Sequence, residues 1–202
     1  MEKAESKTNT TTEPTAEPKR GGFGWLRKIL LVLAAIVVIL VIAIARQPNE
    51  FQVTRAAAIA APPASVFAQV NDFHAWQTWS PWAKLDPAAK NSFEGAKSGK
   101  GAIFKWSGND QIGEGMMTIL ESRPDELIKI KLDFIRPFAS SCTVEFTFQP
   151  EGQQTVTTWR MWGSNSLMGK VMCMFMNMDK MVGGDFEKGL ASMKQIAEAK
   201  KK

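Results

Sequence analysis

His74 is the single histidine of this chain, and the carboxylate of Asp72 stands two residues before it. An imidazole oriented by a carboxylate can serve as a general base. Neighbours this close in sequence, however, give no independent evidence of a working pair. Acid–base chemistry on an enclosed substrate needs a titratable group that points inward, and Glu94, Glu114 and Arg160 are the other side chains to consider. Arg160 falls on a regular strand, where alternation points it outward. One histidine and two separated cysteines, Cys142 and Cys173, offer no ligand spacing, so no metal is expected. Gly99-Lys100-Gly101 and Gly113-Glu114-Gly115 read as hairpin turns rather than phosphate loops, because no strand-then-helix context follows them. No cofactor is expected. For the two thiols a disulfide in an oxidising compartment and two free buried groups both stay open.

The chain is far richer in apolar recognition chemistry, with 11 Met, 12 Phe and 7 Trp. Met168, Met172, Met174, Met176, Met178, Met181 and Met193 crowd its last segment, with Leu167, Val171 and Phe175 between them. Methionine is flexible and polarisable, so a wall of it adapts to ligands of varied shape. So many apolar positions exceed a single packing stripe, and a second layer, a cavity or a membrane surface must take up the rest. Trp76, Trp79 and Trp82, three residues apart, read as packing anchors or as the rim of such a cavity.

The elements that must position these residues follow from periodicity. Phe51–Ala61 reads as a first strand, Pro62-Pro63 ends it, and Ala64–Phe73 carries Val66, Phe67 and Val70 at helical spacing. Five strands follow, at Gly101–Ser107, Gly115–Glu121, Leu127–Phe134, Ser140–Phe148 and Thr155–Gly163. Their alternation is that of antiparallel strands covered on one face. The inward set is Phe104, Trp106, Met117, Ile119, Ile130, Leu132, Phe134, Val144, Phe146, Trp159 and Met161. Facing it would be one long helix over Ser166–Lys200, bearing Met174 and Met178 and kinked or broken at Gly183-Gly184. This is an α+β layout with the helix gripped by a curved sheet, and these residues are the expected cavity lining.

Ahead of the domain, Ile29 to Ala45 runs seventeen residues without a polar side chain. As a helix that is roughly 26 Å, close to the thickness of bilayer hydrocarbon. The expected organisation is a disordered tail over 1–22, a transmembrane anchor over 23–46, a linker over 47–50 and a folded domain over 51–200. Lys19, Arg20, Arg27 and Lys28 flank the N-terminal end of the span. They predict a cytoplasmic N-terminus and a periplasmic or otherwise extracytoplasmic domain on a bacterial inner membrane. Cleavage after Ala45, as in a signal peptide, is the rival reading. From Phe51 onward 18 Lys and Arg face 15 Asp and Glu. That balance is too even for a nucleic-acid-binding surface, and no nucleic-acid partner is expected.

Several longer words are family-like: FQVTR at 51–55, APPASVFAQVNDFHAWQTWSPW at 61–82, FEGAKSGKGAIFKW at 93–106, GEGMMTILES at 113–122 and MGKVMCMFMNMDKMVGGDFEKGL at 168–190. They resemble the SRPBCC superfamily, in particular its membrane-anchored polyketide cyclase/dehydrase-like members. The resemblance implies a helix-grip fold, like that of pollen allergens and START lipid-transfer domains, with an apolar cavity between sheet and C-terminal helix. It carries over no catalytic residue. The function expected is a membrane-tethered module that binds an apolar small molecule or lipid, as carrier or sensor. A cyclase- or dehydratase-like enzyme and a structural or regulatory partner in an envelope complex are the alternatives.

Overall fold

The computed structural model describes residues 23–165, 167–175 and 177–199. The expected disordered tail over 1–22 lies outside the described residues. Helix α1, Phe23–Ala45, comes first. Its stretch Gly24–Ala45 is long and apolar enough to cross a membrane, a test that a signal sequence also passes.

The folded unit is a seven-stranded, wholly antiparallel sheet. Its strands are β1 (Glu50–Ile59), β2 (Lys90–Gly95), β3 (Ala102–Ser107), β4 (Glu114–Arg123), β5 (Leu127–Arg136), β6 (Ser140–Glu151) and β7 (Gln154–Ser164). In space the order is β1-β7-β6-β5-β4-β3-β2. Strand β2 is absent from the sequence-based reading. Every residue of it is exposed, so there is no alternation of burial to betray it.

Helices α2 (Pro63–Asn71) and α3 (Phe73–Trp79), and a 3₁₀ turn at Pro81–Lys84, link β1 to β2. Pro63 opens α2 because its fixed φ suits a first helical turn. Asp72 caps α3, its side chain accepting the His74 N–H.

The closing segment corrects the expectation of one long helix broken at the glycine pair. It forms α4 (Leu167–Phe175) and α5 (Met178–Ala199), with Gly183 and Gly184 inside α5. The break falls at Asn177, whose Oδ1 accepts the Lys180 N–H at 3.0 Å and caps α5. Gly183 has a different task. A Cβ there would lie 2.0 Å from Nη2 of Arg55, so only glycine lets the guanidinium lie against the helix.

That arginine ties α5 to β1. Its Nε donates to Glu187 Oε1 at 2.7 Å, its Nη1 to Asp179 Oδ1 at 3.0 Å, and its Nη2 to the Asp179 carbonyl at 3.0 Å. These bonds raise the Arg55 pKa. The bond from Arg55 in turn holds the Asp179 carboxyl below its ordinary value.

Down the inner face of α5, Phe186, Leu190, Met193 and Ala197 are buried at helical spacing. Opposite them, Ile119, Ile128, Ile130, Val144, Phe146 and Trp159 fill the concave face of the sheet. Ile130 is fully buried. Ile130→Ala should therefore lower stability by about 2–5 kcal/mol, read from chemical denaturation.

The Asp179 contribution has a sign that can be checked. Its carboxyl titrates lower when folded, so the stabilisation is complete above the free-carboxyl value of 3.8 and fades as pH falls below it. Asp179→Asn should remove that part of the acid sensitivity, measured as midpoint against pH.

Candidate functional site

The inward ladder of the sheet is uneven in side-chain volume. Across β7, β6 and β5 the register sets Trp159 opposite Phe146 and Phe146 opposite Ile128. One step towards the other end come Met161, Val144 and Ile130, and beyond them Gly163, Cys142 and Leu132. Side-chain volume thus falls steeply towards the end where β1 begins.

The full end is sealed by rings. Trp159 stacks on Phe186 at 3.9 Å between centroids, and Trp79 meets both Trp159 and Phe146 edge-on. Trp79 Nε1 donates to the Gln69 carbonyl at 2.9 Å, which fixes the ring. At the depleted end a cavity of about 240 Å³ remains. An apolar void of about 150 Å³ already admits benzene, so this one suits a ring system or a short acyl segment.

Its walls come from five places. Phe104, Trp106, Met117, Leu132, Phe134 and Met161 face it from the sheet. Val182 and Phe186 face it from α5, Trp76 from α3 and Trp82 from the 3₁₀ turn. The loops give Asp86, Ala89, Gln111 and Ile112. Gly115 makes room for the wall itself, since a Cβ there would lie 2.4 Å from the Trp106 ring. That ring is held by its Nε1, which donates to the Ile112 carbonyl at 2.9 Å.

Of the expected lining, Ile119, Ile130, Val144, Phe146 and Trp159 do not reach the cavity. They are spent in the solid half of the core, against α2, α3 and the rest of α5. Met174 is half-buried and stands off the cavity wall, because α4 and α5 are separate helices and α5 presents Val182 and Phe186 instead. The Met178 side chain lies outside the described residues, as do Met176 and the side chains of Met172 and Cys173. Of the three tryptophans, Trp76 and Trp82 face the cavity and Trp79 is core.

The polar lining, Gln77, Ser80, Asp86, Asn91 and Gln111, escaped the sequence reading. It sits on short helices, loops and an exposed strand without periodicity. The turn run Leu85-Asp86-Pro87 was the one available signal.

The candidate acid–base groups go elsewhere. Glu94 lies on β2 and pairs with Lys105, and Glu114 lies on β4 and pairs with Arg136. Both are thus strand residues, like Arg160, whose Nη2 donates to Gln52 on the outer face. His74 does meet Asp72, Nδ1 to Oδ1 at 2.8 Å, with its ring stacked on Phe93 at 4.0 Å. His74 borders a separate, smaller cleft with Glu94 and Lys97, not the apolar cavity. Asp86 does line the apolar cavity, but its Oδ1 accepts the Ala88 N–H and its Oδ2 the Asn109 N–H. Its carboxylate therefore braces two loops. Among the described residues no cluster of three metal-ligating side chains forms.

Residues 50–198 match a family model described as polyketide cyclase / dehydrase and lipid transport. No curated protein matches the sequence. Among solved structures, protein CV1439 from Chromobacterium violaceum is similar in fold, with a TM-score of 0.51 at 16% identity over 75% of this chain and 98% of its own. A protein from Nitrosospira multiformis gives 0.52 at 19% identity over 73% and 96%. The di-domain ARO/CYC protein StfQ of the steffimycin biosynthetic pathway gives 0.58 at 11% identity, over 91% of this chain and 62% of its own.

Cys142 is a free, buried thiol. Burial, and then the charge of Asp133, push its pKa up to about 12. Folded chain should leave Cys142 unmodified by iodoacetamide at pH 8, with modification appearing only in denaturant, read by site-resolved mass spectrometry.

Proposed function

The chain belongs to the polyketide cyclase / dehydrase and lipid transport family, and from that premise we propose that its domain binds an apolar small molecule or lipid as a membrane-tethered carrier or sensor. Family membership supports a hydrophobic-ligand-binding or cyclase-like module in general. The observation that favours binding over chemistry is the cavity wall. It is made mostly of aromatic and aliphatic side chains, and its carboxylate, Asp86, accepts a loop N–H at each oxygen, which holds the group against the loops. The polar side chains Gln77, Asn91 and Gln111 suit a ligand with one hydrogen-bonding end.

The tether in this proposal is α1, kept as a single span with the N-terminus cytoplasmic and the domain extracytoplasmic. The uninterrupted apolar run supports the span, and the flanking basic residues support that orientation.

Leu132 faces the cavity and is only half-buried, so a carboxylate there places charge on the cavity wall with little damage to the core. Full-length wild-type chain and Leu132→Asp, purified in the same detergent, would be extracted with organic solvent and analysed by mass spectrometry. The wild type should carry a co-purifying apolar molecule, and the variant at least about tenfold less of it. Equal recovery from both would defeat the binding reading.

A further inference from the structure

The strand register gathers several features at one end of the sheet. Strand β1 starts there at Glu50, paired with Ser164 at the end of β7. Cys142 near the start of β6 pairs with Gly163, and Phe134 near the end of β5 pairs with Ser140. The β5–β6 turn and the start of α4 therefore share the end at which the chain enters the domain. So do Trp106, Asn91, Ile112 and Asp86 of the cavity wall, from the ends of β3 and β2 and the loops beside them.

This end is unusually apolar for a surface. Ile135 is 55% exposed, Phe138 50%, Leu167 73% and Met168 46%. The β5–β6 turn lies two to three strand spacings from β1, about 10–14 Å. Helix α4 is tied still closer to the entering chain. Asn165 donates its backbone N–H to the Asn49 carbonyl at 2.7 Å, and Lys170 Nζ donates to Asn49 Oδ1 at 2.6 Å. Between Ala45, where the apolar helix ends, and Glu50 there are four residues, and the five steps across them reach at most about 18 Å.

We infer that this end of the domain docks on a lipid bilayer, with the β5–β6 turn and the start of α4 inserted at the interface and the cavity mouth turned towards the lipid. The inference rests on reading α1 as a membrane span. An anchored domain on so short a tether keeps its entry end near the membrane. Exposed isoleucine, phenylalanine, leucine and methionine gain free energy there by leaving water. An apolar ligand would then pass between cavity and leaflet without crossing bulk water.

Full-length chain with Cys142→Ala and Cys173→Ala would be reconstituted in vesicles and labelled with an environment-sensitive fluorophore at one new cysteine. The sites are Val37→Cys in α1, Phe138→Cys and Met168→Cys on the docking surface, and Glu151→Cys at the opposite end of the sheet. Brominated lipid should quench the first three several-fold more than the Glu151→Cys label. Quenching at Val37→Cys alone would overturn docking while leaving the span intact. Absence of quenching at Val37→Cys, Phe138→Cys and Met168→Cys together would overturn both. Labels at Phe138→Cys and Met168→Cys that are shielded from aqueous iodide but untouched by brominated lipid would assign the patch to a protein, and would equally overturn docking.

Discussion

The stacking of Trp159 on Phe186 is the contact on which the domain's shape depends. It joins the middle of β7 to the middle of α5 at 3.9 Å, and Trp79 and Phe146 close around it. Rings this large fix the separation of helix and sheet at that point. Beside it, Phe104, Trp106, Met117, Leu132, Phe134 and Met161 wall a space that no side chain fills. Glycine at 189 permits the frame, since a Cβ there would press into the Trp159 ring at 2.8 Å.

The charged groups serve the same frame. Arg55 carries the bonds that hold the first turns of α5 against β1, next to the point where Gly183 gives way. Its partners are largely exposed, so each bond is individually modest. Together they fix the direction in which α5 leaves Asn177, and hence where Val182 and Phe186 meet the cavity. Glu94, Glu114 and Glu145 pair with Lys105, Arg136 and Lys129 on neighbouring strands, and none of the six lines the cavity.

The strands with clean alternation were legible because the signal is local. Leu127–Phe134 and Ser140–Phe148 each write inward and outward faces residue by residue, and the structure pairs them as neighbours. Strand β2 was not legible, since an exposed edge strand buries nothing. The division of the last segment was misplaced for a related reason. Two adjacent glycines look like a helix breaker in isolation, yet Gly183 is demanded by a guanidinium from a strand more than a hundred residues earlier.

What the sequence determined by itself is whatever depends on near neighbours: a long apolar helix ahead of one α+β domain, the faces of its strands, and a large stock of aromatic and methionine side chains. Which of those side chains wall the cavity and which fill the core was decided only by tertiary structure. Phe134 and Phe146 are indistinguishable in pattern, each an inward phenylalanine on an alternating strand. One faces a hollow and the other is buried under Trp79, because register and helix placement set how much volume arrives from across the sheet. That sum involves residues far apart in the chain, and no local pattern contains it.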